Sequence, residues 1–283
     1  MSDIKKGKLF ICGTPIGNLK DITIRCLEIL KSVDLIACED TRETLKLLNF
    51  YGIKKKLISY HEFNKFSAAE KILNILREQK KIALVSDAGM PCISDPGSEL
   101  IKIVRENMFD IEIIPGPTAF ASAISFVGLE SKNFVFEGFI NKNERKKFVE
   151  RIKFEERPTV FYEAPHKLLN MLEFIFKNIG DRKLYLVKEL TKIHEKMFSG
   201  TLEDAINLLK LNPPKGEYVV LLFGTENKID FNQINIKEHL QFYLDSGLDL
   251  KTAIKKVARD RNIDKNQVYL IAHDIKKIAS FYY

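Results

Sequence analysis

Between residues 86 and 97 the chain reads Ser86-Asp87-Ala88-Gly89-Met90-Pro91-Cys92-Ile93-Ser94-Asp95-Pro96-Gly97, with two aspartates, two prolines and two glycines in twelve positions. Gly89 and Gly97 can adopt positive φ, while Pro91 and Pro96 fix φ and remove backbone donors. Carbonyls and carboxylates are then the dominant polar groups, an acceptor-rich wall that suits a cationic ligand. Asp95-Pro96-Gly97-Ser98 also reads as a turn leading into a helix cap. Two further loops have related chemistry. Gly13-Thr14-Pro15-Ile16-Gly17-Asn18-Leu19 brings backbone close to a ligand without the G-x-G-x-x-G spacing of a dinucleotide site or the Gly-Lys-Ser/Thr of a phosphate loop. Ile114-Pro115-Gly116-Pro117-Thr118-Ala119 opens onto the small residues Ala119, Ala121, Ser122 and Ala123, which permit close approach.

Each loop follows an apolar run, and such runs alternate with amphipathic segments. Strands are expected at Lys8 to Gly13, Leu35 to Glu39, Lys56 to Tyr60, Lys81 to Asp87 and Asp110 to Pro115. Helices are expected from Ser67 to Gln79, where Ser67 and Glu70 have capping-box spacing, and from Ser98 onward. This alternation predicts an α/β fold with a mostly parallel sheet covered on both faces, its ligand crevice at the strand ends. A second α/β block begins near Asn133, with strands at 134–139, 159–164, 184–190, 194–199 and 218–223 and mixed pairing. The expected domains are 1–127, 133–225 and a helical appendage at 236–283, after a polar linker at 225–235. In the appendage Leu250, Ile254 and Val257 share one helix face, and Val268, Ile271 and Ile275 another.

With 283 residues, 45% hydrophobic and 29% charged, disorder is excluded as a general state. Cys12, Cys26, Cys38 and Cys92 are irregularly spaced and read as reduced core thiols, with no metal expected. The start, Met1-Ser2-Asp3-Ile4-Lys5-Lys6, has no signal-peptide pattern, and no run reaches the length of a membrane span, so a cytoplasmic location is expected. The net charge of +7 suits a polyanionic partner, although lysine-rich composition produces the same number.

Taken in order, Gly13-Thr14-Pro15-Ile16-Gly17-Asn18, Cys38-Glu39-Asp40-Thr41-Arg42, Ser59-Tyr60-His61-Glu62, the loop at 86–97 and Ile114 to Ala119 resemble the tetrapyrrole methylase superfamily. Within it they look like the branch of small-subunit ribosomal RNA 2′-O-methyltransferases. Phe136-Glu137-Gly138-Phe139, Phe161 to Lys167, Lys188 to Glu195 and Lys215 to Val219 continue the likeness, which covers about residues 8–225. The resemblance implies two α/β domains with S-adenosylmethionine bound in the cleft between them, and a homodimer. It implies methylation of a cytidine ribose in the decoding region of 16S rRNA, within the small ribosomal subunit. Carried over position by position, it places Pro15, Asp87, Gly89, Met90, Ile93, Thr118, Ala119, Tyr162 and Leu190 at the cofactor. Met90 stands where many small-molecule methylases of the superfamily have aspartate, which moves expectation in this loop toward backbone and apolar contacts. Lys167 and Lys188 stand where the branch usually has arginine, keeping charge but losing the planar fork.

Methyl transfer from a sulfonium needs positioning, water exclusion and a group that accepts or orients the hydroxyl proton. Glu39, Asp40, His61, Glu163, Lys188 and Glu195 are candidates, with Glu39, Asp40 and His61 foremost; Glu39-Asp40 also reads as a helix-capping pair. For RNA, Arg42 and the basic segment with Lys142, Arg145, Lys146, Lys147 and Arg151 are candidates. Two alternatives stay open: methylation of a tetrapyrrole or other small molecule, and a non-catalytic RNA- or ribosome-binding protein.

Overall fold

The computed structural model describes residues 7–225, 234–245 and 247–279. The Met1–Lys6 segment and most of the expected linker at 225–235 lie outside these residues. The chain forms two compact units: residues up to Asn141 with Pro158–Leu222, and Lys142–Arg157 with the described residues from Phe223 onward.

In the first unit β1 (Lys8–Cys12), β2 (Leu35–Cys38), β3 (Lys56–Ser59), β4 (Lys81–Val85) and β5 (Asp110–Ile114) form an all-parallel sheet in the order β3-β2-β4-β1-β5. The central strands are apolar at nearly every position because both faces are covered. Cys26 and Leu30 of α1 (Ile24–Ser32) and Leu47 and Leu48 of α2 (Thr41–Phe50) pack over Phe10, Cys12, Ile36 and Cys38. On the opposite face, Ile72 and Leu76 of α3 (Lys65–Arg77) and Leu100 and Val104 of α4 (Ser98–Glu106) cover Leu9, Ala37, Ile82 and Leu84. All four cysteines are free, three of them buried in this core.

One local expectation is corrected. Helix α3 begins at Lys65 rather than Ser67, and the Ser67–Glu70 capping box does not form. Asn64 turns the chain earlier: its Oδ1 accepts from the His61 backbone N–H at 2.9 Å and its Nδ2 donates to the Ser59 carbonyl at 3.0 Å. Ser67 is left inside the first turn, its hydroxyl donating to the Asn64 carbonyl at 3.1 Å.

The second sheet of this unit comprises β6 (Val135–Phe139), β7 (Thr159–Glu163), β8 (Lys183–Lys188), β9 (Lys196–Thr201) and β10 (Tyr218–Leu222), in the order β6-β7-β10-β8-β9. Only β6 and β7 run parallel, so the pairing is mixed. The strand expected through Leu190 stops at Lys188, because Glu189 and Thr191 take positive φ and turn the chain. The strand expected at 194–199 starts at Lys196 and runs to Thr201. Ala123 of α5 (Ala119–Val127) packs with Val160, Val187, Val219 and Leu221, so the small residues after the third loop seat a helix on this sheet. Two helices escaped the sequence reading: α7 (Pro165–Ile179), which opens on Pro165, and α8 (Leu202–Leu211), held by a Thr201–Asp204 capping box.

The second unit is helical. Its basic helix α6 (Arg145–Ile152) buries Phe148, Val149 and Ile152. Helices α9 (Ile236–Asp245), α10 (Leu250–Asp260) and α11 (Lys265–Ala279) share a core of Leu240, Ala253, Ile254, Val257, Ala258, Val268 and Ala272. Among the described residues no helix is long and apolar enough to cross a membrane.

Candidate functional site

Strand order explains how loops far apart in sequence become one site. Because β4, β1 and β5 are adjacent and parallel, the loops that follow them emerge side by side at one sheet edge. Backbone contacts then lock them. Thr14 N–H donates to the Gly89 carbonyl at 2.8 Å, Gly89 N–H returns to the Thr14 carbonyl at 3.1 Å, and the Thr14 hydroxyl donates to the Ser86 carbonyl at 3.0 Å. Gly13 and Gly116 meet backbone to backbone: a Cβ on Gly13 would lie 2.6 Å from the Gly116 Cα. Gly89 has φ +84 and Gly97 φ +140, and the loop between them also holds Cys92 at φ +70 and Ser94 at φ +67. Two non-glycine residues in the left-handed region within three positions mark a backbone over-determined by its surroundings.

These loops and the ends of β7, β8 and β10 enclose a cleft of about 550 Å³. Of the residues expected at a cofactor, Asp87, Gly89, Met90, Ile93, Thr118, Ala119, Tyr162 and Leu190 line it. Pro15 is buried within the first loop and does not line the cleft, whereas its neighbour Ile16 does. The Tyr162 hydroxyl accepts from the Phe120 N–H at 3.1 Å, and its ring packs against Phe136 and Phe139, each at 5.2 Å between centroids. Burial first, then Asp95, raises this phenol to about 12, so it stays protonated.

The acid–base candidates divide. Glu39 and Glu163 line the cleft; Asp40 and His61 do not. Asp40 caps α2, accepting from Arg42 N–H at 2.8 Å and from the Arg42 guanidinium, which with the backbone holds its carboxyl down at about 2. Arg42 itself is exposed. His61 sits half-buried in the loop after β3, its ring 6.0 Å from that of Phe63. Glu163 is 3% exposed, and its carboxylate accepts from Ala164 N–H at 3.0 Å. Lys188 lies 6.0 Å over the Tyr218 ring, and Glu195 accepts from Thr191 N–H at 2.6 Å in the turn beyond Leu190.

Asp95, read in sequence both as part of an acceptor-rich wall and as a turn residue, lines the cleft with Glu39 and Asp87. Burial lifts the carboxyls of Glu39 and Asp87, and repulsion adds to both, from Asp87 and Asp40 on Glu39 and from Asp40 and Glu43 on Asp87. In Asp95 burial, followed by the charges of Glu39 and Asp87, raises the carboxyl to about 7. The cleft lining is acidic and includes no lysine or arginine, the acceptor surface expected for a cationic ligand. Among the described residues no group of histidine, cysteine and carboxylates is placed to hold a metal ion.

In the helical unit, Lys142, Lys146 and Lys147 are exposed, whereas Arg145 and Arg151 are half-buried. Arg151 lies 6.0 Å over the Phe148 ring. A groove of about 580 Å³ between α6 and α9 is lined by Lys147, Arg151 and Lys153 but also by Glu150, Glu238 and Asp245, so its charge is mixed.

A model of the tetrapyrrole (corrin/porphyrin) methylases matches residues 8–206. The chain is 41% identical over 275 residues to ribosomal RNA small subunit methyltransferase I of Bacillus subtilis, covering 94% of each. It is 46% identical over 221 residues to the protein of the same name from Thermotoga maritima, covering 78% of this chain and 100% of that one. Among solved structures, diphthine synthase superposes with a TM-score of 0.63 at 16% identity, covering 80% of this chain and 93% of that one. A cobalt precorrin-4 methyltransferase follows at 0.61 and 20%, covering 76% and 94%. At these identities the two structures show the shared fold alone.

Proposed function

The chain belongs to the tetrapyrrole methylases, in the ribosomal RNA small subunit methyltransferase I family, and from that membership we propose that it methylates the 2′-hydroxyl of a cytidine ribose in 16S rRNA. The methyl donor is S-adenosylmethionine, and the substrate is the decoding region of the small ribosomal subunit, in the cytoplasm. The observation that carries the reading is the cleft at the ends of β4, β1 and β5, which Glu39, Asp87 and Asp95 line and whose lining residues include no lysine or arginine. Its residues fit the donor. Ile16, Met90, Ile93 and Leu190 offer apolar contact, Gly89 lets backbone approach closely, and Glu39, Asp87 and Asp95 complement positive charge.

S-adenosylmethionine supplies an electrophilic methyl group on a sulfonium. The protein's part is to orient a hydroxyl toward that methyl, exclude water and remove one proton. Tyr162, protonated and anchored to Phe120 N–H, shapes the wall supplied by the second sheet. The exposed Lys142, Lys146 and Lys147 are the proposed phosphate contacts, together with Arg42, Arg145 and Arg151. Those contacts make RNA affinity fall steeply with salt.

The test incubates the protein with radiolabelled S-adenosylmethionine and small ribosomal subunits from a strain lacking the activity, beside a tetrapyrrole precursor. Label recovered from 16S rRNA as a 2′-O-methylated cytidine is the expected result. Label in the tetrapyrrole alone transfers the assignment to a small-molecule substrate. Cofactor-dependent label in neither, with no S-adenosylmethionine binding by calorimetry, leaves the non-catalytic RNA-binding alternative.

A further inference from the structure

The loop after β3 does not line the cleft, yet it emerges at the same sheet edge. β3 runs parallel to β2 as its neighbour, so residues 60–64 leave the sheet beside the strand that ends next to Glu39. Tyr60 N–H donates to the Cys38 carbonyl at 2.8 Å, and the Ser59 hydroxyl donates to the Glu39 carbonyl at 3.5 Å. Asn64 pins the turn itself. Besides its side-chain bonds to His61 N–H and the Ser59 carbonyl, its own N–H donates to the His61 carbonyl at 3.1 Å.

On this pinned turn stands Phe63, 97% exposed, and three residues on, in the first turn of α3, Phe66, 68% exposed. Neither ring belongs to a core. Lys65 pairs with Glu62 and lays its ammonium 5.5 Å over the Phe66 ring, so one face of Phe66 is taken. Phe63 meets the His61 ring at 6.0 Å and an interplanar angle of 64°, an edge contact that props the phenyl without covering it. The patch is too small for a second protein. Each phenyl side chain buries at most about 150–250 Å², so the pair falls well short of the roughly 800 Å² that a stable interface takes from each partner. Exposed polar side chains surround it, Glu62, Ser67, Glu70 and Lys71. One flat, apolar group is what a free phenyl face on a fixed turn accommodates.

We propose that Phe63, flanked by Phe66, is a stacking platform for an unpaired base of the RNA substrate, a neighbour of the nucleotide whose ribose enters the cleft. This rests on reading that cleft as the rRNA methyltransferase site. A ribose hydroxyl reaches a recessed site when its nucleotide leaves the stack, and the lost base–base contact is offset where a base finds another π-face. Phe63 supplies such a face beside the strand that carries Glu39 to the cleft. A phenyl ring reads no hydrogen-bond pattern, so the platform holds the strand without choosing the base. It also neutralises no phosphate. Contacts from the exposed Lys142, Lys146 and Lys147 weaken with salt, whereas the phenyl contact does not.

The experiment measures methyl transfer to small ribosomal subunits, calorimetric binding of S-adenosylmethionine and mass in solution for wild type, Phe63→Ala, Phe63→Leu and Phe63→Tyr. A side chain this exposed leaves no cavity, so all three variants are expected to fold as wild type does. Phe63→Ala and Phe63→Leu are expected to raise KM for subunits about 5- to 100-fold, equally at low and high salt, with kcat and S-adenosylmethionine affinity within about threefold of wild type. Phe63→Tyr keeps the π-face and is expected to keep the wild-type KM. Because the chain has no tryptophan, Phe63→Trp introduces a single indole, whose emission is expected to be quenched by single-stranded oligocytidylate more strongly than by duplex RNA. Wild-type KM in Phe63→Ala or Phe63→Leu, or unquenched emission in Phe63→Trp, overturns the platform. A fall in mass in Phe63→Ala also overturns it, making this face an interface between copies of the chain. The two readings fail separately. Quenching in Phe63→Trp without methyl transfer by wild type sinks the rRNA methylation reading and leaves the platform, whereas methyl transfer with an unchanged KM in Phe63→Ala does the reverse.

Discussion

Where β4, β1 and β5 end, the cleft is bounded by three loops stitched together through backbone: the Thr14–Gly89 exchange, the Gly13–Gly116 contact and the positive-φ run from Gly89 to Gly97. Where β7, β8 and β10 end, it is met mainly by side chains: Tyr162, Glu163, Leu190 and Tyr218. The first sheet can work through backbone because its strands are all parallel and their C-terminal loops share one edge. The second is mixed, so the ends of β7 and β8 and the start of β10 come together in antiparallel register, Tyr218 opposite both Glu163 and Lys188. One side of the cleft therefore tolerates no added atoms, while the other is set by which side chains its strands present.

The sharpest break in that contrast is Gly13→Val. Its first added carbon would lie 2.6 Å from both the Gly116 Cα and the Met90 sulfur, and the backbone partner has nowhere to go. Overpacking of this kind costs about 1–3 kcal/mol, and displacement of the loops should weaken S-adenosylmethionine binding about tenfold or more. Calorimetry and chemical unfolding read the two effects; near-wild-type affinity in a folded Gly13→Val protein would show that the glycine contact does not shape the site.

On the other side the expected effect is smaller. Tyr162→Phe keeps the ring contacts with Phe136 and Phe139 but leaves Phe120 N–H without its acceptor. The loss should be about 1 kcal/mol in unfolding free energy, with S-adenosylmethionine affinity changing less than in Gly13→Val. An affinity loss equal to that of Gly13→Val would erase the distinction between a backbone wall and a side-chain wall.

The same contrast explains what the sequence disclosed. The first sheet's loops were legible because backbone-built sites leave a compositional trace: Gly-Thr-Pro-Ile-Gly, Pro-Gly-Pro and the Gly89 to Gly97 run each follow an apolar strand. The sheet's order was not, so nothing in the residues alone said that loops separated by some seventy positions would touch. Tyr162 and Leu190 came only through family resemblance, since a tyrosine in an apolar strand looks like core. Asp40 and Asp95 each carried two readings in the sequence. Asp40 beside Glu39 was both an acid–base candidate and a helix cap, and it caps α2; Asp95 before Pro96 was both an acceptor and a turn residue, and it lines the cleft. In both cases side-chain direction, which local spacing does not encode, decided the outcome. Helices α7 and α8 lie directly beside apolar strands, so their apolar faces, Leu168, Met171, Leu172 and Ile175 in α7 and Leu202, Ala205, Ile206 and Leu209 in α8, do not stand out from the strand runs in sequence.

The mildest perturbation bears on what the rigid side of the cleft carries. The Asp95 carboxyl is raised from the ordinary 3.8 to about 7 in the folded chain, so folding favours its protonated form. A group shifted in this direction contributes its full stability below the unfolded value, loses it as pH rises, and contributes none above about 7 relative to the unfolded reference. Asp95→Asn carries no titrating group at this position. Its melting temperature should therefore lie above that of wild type by a few degrees at pH 8, with the gap closing steadily as pH falls toward about 4. Thermal unfolding of both proteins across that range measures it. A gap that stays constant with pH would mean that Asp95 titrates as an ordinary surface carboxylate. A closing gap would mean that the backbone-built wall holds its acid against a cost in stability, a cost that the side-chain wall, with Tyr162 neutral and hydrogen-bonded, does not incur.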